Sequence, residues 1–171
     1  MGDTSADDEY VEYVTARLPA LHRLAYAFSG DSHRADDIVQ QTITNLYMRW
    51  PKIRGVDHLD RYVRSMLVNA FIDERRLAWA RVRLFAEPPE AVTPASDDAD
   101  DRTVLRAALS RVPRRQRAVL VLRFMYDLPV AEVAEILGVS AGTVKSQTSH
   151  GLTALRRLLG ERTVAALTKE R

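Results

Sequence analysis

The chain has 171 residues, of which 46% are hydrophobic and 28% charged, and it contains no cysteine. This is the composition of a globular protein. Without cysteine there are no disulfides, thiolate metal sites, iron–sulfur clusters or cysteine nucleophiles. No apolar run approaches the ~20 residues of a membrane span. The N-terminal MGDTSADDEY lacks the basic and apolar segments of a secretory leader, so a cytoplasmic protein is expected. The net charge of +2 conceals an asymmetry. Residues 1–86 balance twelve bases with twelve acids, residues 87–101 hold six acids and no base, and residues 102–171 set thirteen bases against five acids. A basic C-terminal third suits a polyanionic partner.

Apolar residues recur with a helical period almost throughout, and no stretch alternates with period two, so the expectation is all-α. The first helix places Val11, Val14, Leu18, Leu21, Ala25 and Phe28 on one face, with Ser5 and Asp8 as a capping pair and Gly30 as its stop. The second follows Asp31 and Ser32, aligns Ile38, Val39, Thr42, Ile43, Leu46 and Trp50, and is expected to end at Pro51. Residues 51–58 read as a loop, and Asp57 is positioned to cap a third helix carrying Leu59, Tyr62, Val63, Met66, Leu67, Ala70, Phe71 and Leu77. The periodicity then lapses in AEPPEAVTPASDDAD, whose three prolines and acids predict a semi-extended linker. Helices are expected again at about 101–111, 114–126, 130–137 and 140–158.

The last two carry the strongest functional signal. A short helix with Val133, Ala134 and Leu137 leads through Gly138 to Ser140, a natural cap for a helix whose Val144, Thr148, Leu152 and Leu155 face inward. Ala134 and Gly138 are small where two helices cross. This is a helix-turn-helix pattern, with the second helix suited to the major groove. Its outward Lys145, Ser146, Gln147, Ser149 and His150 are able to donate to phosphates or base edges. A helical hairpin used only for packing is the competing reading. On the second helix, Asp36, Asp37, Gln40 and Gln41 project opposite Ile38, Val39 and Ile43. Such a face can meet a basic partner, or its acids can simply favour a helix N-terminus. An Asp-rich metal motif would need a second acidic cluster set in an apolar stretch, and the sequence offers none. The four histidines are scattered, and there is no Gly-rich phosphate loop, nucleophile elbow or other catalytic constellation. No catalytic residue, metal or cofactor is expected.

Four segments together resemble the extracytoplasmic-function (ECF) sigma factors of the sigma-70 class: ADDIVQQTITNLYMRW at 35–50, LDRYVRSMLVNAFIDERR at 59–76, LSRVPRRQRAVLVLRF at 109–124, and the helix-turn-helix with GTVKSQ at 142–147, a pattern similar to an actinobacterial subgroup. The resemblance covers most of residues 10–158. It implies two small helical domains: a three-helix region 2 over 1–86, and a helix-turn-helix region 4 over 102–171, joined by the acidic, proline-containing linker 87–101. Extended, that linker reaches ~45 Å.

The resemblance further implies that Asp36, Asp37, Gln40 and Gln41 bind the clamp of core RNA polymerase. Arg54, Gly55, Asp57, His58, Arg61, Tyr62, Arg64, Ser65, Asn69, Arg75 and Arg76 would read and melt the −10 element. Arg115, Arg117, Ser140, Thr143, Lys145, Ser146, Gln147, Ser149 and His150 would read the −35 element, while region 4 also holds the β-flap. Members commonly carry Glu in place of Gln41, Trp in place of Tyr62 and Arg in place of Gln147 and His150. For Tyr62 and Phe71, core packing is the expected role ahead of base stacking. The implied partners are core polymerase, promoter DNA and an anti-sigma factor, with no membrane insertion and no small-molecule substrate. The active protein would be associated with the nucleoid. A stand-alone helix-turn-helix regulator with a helical N-terminal domain is the alternative.

Overall fold

The computed structural model describes residues 4–84 and 101–160, and the side chains of residues 5–74 and 102–160. The expected linker 87–101 falls almost wholly outside these residues. Among the described residues every regular element is helical. The chain forms two compact units, Met1–Phe71 and Ile72–Arg171, and the division falls within the third helix.

In the first unit, α1 (Thr4–Ser29) and α2 (Ser32–Ile53) are antiparallel and joined by a tight turn. α2 follows Asp31 as expected, and Asp31 caps it, its carboxylate accepting from the Arg34 amide at 2.8 Å. α3 (Leu59–Leu84) runs in the same direction as α1, since Tyr13 meets Asp60 and Phe28 meets Phe71. The core is the sum of three apolar stripes: Leu21, Leu24, Ala25 and Phe28 from α1; Ala35, Ile38, Val39, Leu46, Trp50 and Ile53 from α2; Val63, Leu67, Val68, Ala70 and Phe71 from α3. Phe28 and Phe71 are fully buried and stack with ring centroids 5.1 Å apart.

Four local expectations are corrected here. α1 already begins at Thr4, so Ser5 lies inside its first turn rather than capping it. Its inner stripe is rotated. Val11 and Leu18 are 59% and 41% exposed, and Tyr10 and Tyr13 instead pack against Trp50, at 5.5 and 5.4 Å between ring centroids. Tyrosine can bury its ring while its hydroxyl keeps a polar partner, here the Ile43 carbonyl for Tyr10 and Asp60 for Tyr13. α2 runs through Pro51 to Ile53, because buried Ile53 holds the last turn to the core. The ring removes only the bond to the exposed Tyr47, and the Arg54 amide still bonds the Trp50 carbonyl at 3.0 Å. The connecting loop is therefore 54–58. α3 starts at Leu59, so His58 rather than Asp57 holds the capping position, its carbonyl accepting from Tyr62.

The second unit contains α4 (Asp101–Arg111), α5 (Arg114–Leu120), α6 (Val130–Leu137) and α7 (Ala141–Leu159). Ala108, Leu109, Val112, Leu120 and Leu155 form a buried cluster, and Val133, Ile136 and Val144 are fully buried under the helix-turn-helix. The helix expected over 114–126 is not uniform. After Leu120 it widens into a π turn, Val121–Met125, closed by bonds from Tyr126 to the Val121 carbonyl and from Leu128 to the Leu122 carbonyl.

Gly138 has a left-handed φ of 64°, and Val139 bonds back to the Ala134 carbonyl in a helix-terminating motif. Its lack of a side chain serves that backbone conformation and not a close helix crossing, since a Cβ there would meet nothing within 4 Å. The close crossing is at Gly151, where a Cβ would stand 2.9 Å from Leu120 Cδ1. Ser140 caps α7, accepting from the Thr143 amide at 3.1 Å.

Candidate nucleic-acid interface

Three exposed polar faces emerge from these helices. The first lies on α2. Ile38, Val39 and Thr42 point into the core, which leaves Asp36, Asp37 and Gln40 exposed and Gln41 half-buried. His22 of α1 approaches Asp36, with Nε2 2.8 Å from Oδ1, so the acidic face is tied to the neighbouring helix.

The second face is the loop 54–58 with the start of α3. Arg54, Gly55, Asp57 and His58 are exposed. Helical spacing places Arg61, Tyr62, Ser65 and Asn69 on one side of α3, with Asn69 exposed and the other three half-buried. Tyr62 is not a core residue: its hydroxyl accepts from Arg49 Nη1 at 3.1 Å. Arg64 departs from this group. It follows Asp60 by one turn and adds to the positive field around that carboxylate. Arg75 and Arg76 lie on α3 with side chains outside the described ones.

Several polar residues that organise this unit carry no local sequence signal. Arg17 clamps Asp60 with two bonds of 2.9 and 3.0 Å, and the Tyr13 hydroxyl donates to the same carboxylate at 2.7 Å. The Arg17 hydrogen bond holds the Asp60 carboxyl below its ordinary range, against the opposing effect of partial burial. Burial, then the bond to Asp60, pushes the Tyr13 phenol well above its ordinary value. The Arg54 guanidinium reaches back to Glu9 of α1, Nη1 to Oε2 3.0 Å. These partners are 43 to 47 residues apart, beyond the reach of any spacing rule.

The third face is α7. Val144, Gly151 and Leu155 are buried, so Lys145, Ser146, Ser149 and His150 are exposed, while Thr143 and Gln147 are half-buried at the flank. Ser140 is exposed at the cap. The hydroxyls of Ser146, Thr148 and Thr153 donate to the carbonyls of Thr143, Val144 and Ser149 at 2.8 to 3.0 Å. Their oxygens remain acceptors, so the donors left pointing outward come mainly from Lys145, Gln147 and His150.

Arg115 is exposed at the start of α5. Arg117 does not join it. It is 6% exposed, and its Nη2 donates to the Ser110 and Val112 carbonyls at the end of α4. Its expected place on the DNA face is therefore corrected: the guanidinium satisfies helix-end carbonyls inside the unit. Among the described residues, no group of three His, Cys, Asp or Glu is arranged to hold a metal ion, and no helix is long and apolar enough to cross a membrane.

Residues 13–81 match the family model Sigma-70 region 2, and residues 102–155 match Sigma-70, region 4. The chain is 36% identical to an RNA polymerase sigma-E factor of Streptomyces coelicolor over 95% of its length and 93% of the relative's. It is 34% identical to the ECF RNA polymerase sigma factor SigM of Mycobacterium tuberculosis over 82% of this chain and 71% of that one. The fold resembles the sigma factor RpoE from Bartonella quintana, solved in complex with the anti-sigma factor NepR. That TM-score is 0.68 at 24% identity, covering 90% of this chain and 98% of that one. A three-helix unit and a helix-turn-helix unit carrying the two matched regions in this order define the chain as a member of the sigma-70 family. Within it, the chain is an RNA polymerase sigma factor of the ECF type.

Proposed function

We propose that the three polar faces divide the work of promoter-specific initiation. The α2 face, Asp36, Asp37, Gln40 and Gln41, binds the polymerase clamp. The loop 54–58 and the exposed side of α3, with the basic residues that follow, hold the single-stranded −10 element. The α7 face with Arg115 reads the −35 duplex, while the same domain engages the β-flap. The observation that carries this reading is the capped α7. Its inner side is buried and its outer side offers a lysine, an amide and an imidazole to a groove. The domain boundaries proposed are 1–86 and 102–171, with 87–101 as a tether.

RNA synthesis belongs to the polymerase, and this chain supplies binding and orientation, with no cofactor or small-molecule substrate. Its place is the cytoplasm, on the nucleoid when active. Its place in an actinobacterial subgroup is supported by GTVKSQ at 142–147. An anti-sigma factor that competes with core polymerase completes the scheme, by analogy with the RpoE structure.

The test is core-polymerase pull-down with the double variant Asp36→Arg, Asp37→Arg. Both side chains point to solvent, so the helices survive and core binding is lost. Wild-type recovery of core polymerase by a folded double variant would overturn the clamp assignment. Tight sequence-specific duplex binding by the chain alone would point to a stand-alone regulator, because two small reading surfaces on a tether bind weakly until polymerase fixes their spacing.

A further inference from the structure

Arg54 is the one arginine of the loop 54–58, and its Nη1 lies 3.0 Å from Glu9 Oε2 on α1. Glu9 belongs to the most acidic stretch of the first unit. Before Arg17 the sequence holds Asp3, Asp7, Asp8, Glu9 and Glu12 and no base. A second acid of this stretch also reaches α2, since the Tyr47 hydroxyl donates to Asp7 at 3.2 Å. The acidic start of α1 is thus held against the end of α2 from which the loop departs.

A guanidinium donates to a carboxylate oxygen or a phosphate oxygen in the same way. We infer that Glu9 occupies at Arg54 the place of a backbone phosphate, so that single-stranded DNA must displace Glu9 to engage the loop. The inference rests on the reading of loop 54–58 as the −10 contact. Both side chains are partly exposed, 36% for Arg54 and 51% for Glu9, so the pair is screened by water and readily exchanged. It weakens unproductive strand capture without blocking a strand delivered at high local concentration. Glu9 is a built-in competitor, distinct from a residue that orients Arg54 for DNA: removing a competitor strengthens binding, whereas removing an orienting group weakens it.

The experiment measures fluorescence anisotropy of a labelled oligothymidylate with the full chain at several salt concentrations. Oligothymidylate presents phosphates without a promoter sequence. Glu9→Gln is expected to tighten binding roughly two- to fivefold, the range of an exposed ion pair, and to steepen the salt dependence. Arg54→Gln is expected to weaken binding, and adding Glu9→Gln to it should give no further gain. Glu12→Gln removes an exposed acid from the same helix and reports the effect of net charge alone. Weaker or unchanged binding by Glu9→Gln, or an equal gain from Glu12→Gln, overturns the inference. In either case the loop reading stands as long as Arg54→Gln weakens binding. If Arg54→Gln binds as wild type, the loop reading itself fails and the inference with it. Helicity by circular dichroism confirms that each variant is folded.

Discussion

The two units build their polar faces in opposite ways. In the first, the charged and phenolic side chains at the surface are partnered across helices: Arg17 and Tyr13 with Asp60, His22 with Asp36, Arg49 with Tyr62, Arg54 with Glu9. In the second, the hydroxyls of Ser146, Thr148 and Thr153 bond back to their own helix, and Lys145, Ser149 and His150 stand exposed. The first face is therefore a property of three helices held together, the second of one helix correctly capped. A substitution on the first face redistributes partners over the unit. On the second its effect stays local. The contrast is consistent with the proposed roles, a single strand on the first unit and a duplex groove on α7.

The two faces are expected to depend on their cores in different ways. Phe71→Ala removes the ring stacked on Phe28 and is expected to cost about 3–5 kcal/mol, measured by denaturant unfolding. Loss of single-strand binding should accompany it if the loop 54–58 and α3 hold the strand as proposed, because that face needs all three helices. A stable variant with intact strand binding would show that the face does not depend on the bundle.

Next in size is Arg117→Ala, which strips two carbonyls of a charged donor inside the second unit. About 2–4 kcal/mol of destabilisation is expected. Arg115→Ala, at an exposed site two residues earlier, should leave stability unchanged and lower the salt slope of duplex binding by about one ion. Equal effects of the two substitutions on the salt slope would return Arg117 to the proposed DNA face.

Within α7 the expected division is finer. Gln147→Ala should relax preference at one base pair, at about 1–3 kcal/mol for the favoured base. Lys145→Ala should weaken all sequences alike and flatten the salt dependence by about one ion. Transcription from promoter variants by reconstituted holoenzyme, at several salt concentrations, separates the two. If neither variant changes the −35 profile, α7 is a packing element.

The smallest effect belongs to Asp60→Asn, which breaks an exposed tie worth under about 1 kcal/mol. Because the folded protein holds the Asp60 carboxyl below its ordinary range, the tie contributes fully at neutral pH and fades as pH falls through that lowered value. Wild type should therefore lead the variant at pH 7, and the two should converge in acid when stability is followed against pH. A gap that widened in acid would contradict the assignment of Arg17 as the dominant partner.

What the sequence determined by itself is what depends on neighbours within one or two turns. The start of α2 after Asp31, most of its apolar stripe, the turn at Gly138, the Ser140 cap and the outward Lys145, Ser146, Ser149 and His150 of α7 all follow from spacings of one to four residues, and the structure places them so, with Gln147 at the flank. Tertiary structure decided the rest. Which stripe of α1 faces inward was settled by Trp50, whose flat surface favours Tyr10 and Tyr13 over the smaller Val11 and Leu18. The continuation of α2 past Pro51 was settled by the burial of Ile53. Arg117 reads as a surface base in any local window and becomes a core donor only because α4 ends beside it with carbonyls unmet. The long side chains that join Glu9 to Arg54 and Arg17 to Asp60 act across more than forty residues. Their partners are set by where helices come to rest, because an arginine's reach exceeds the local information that places its backbone.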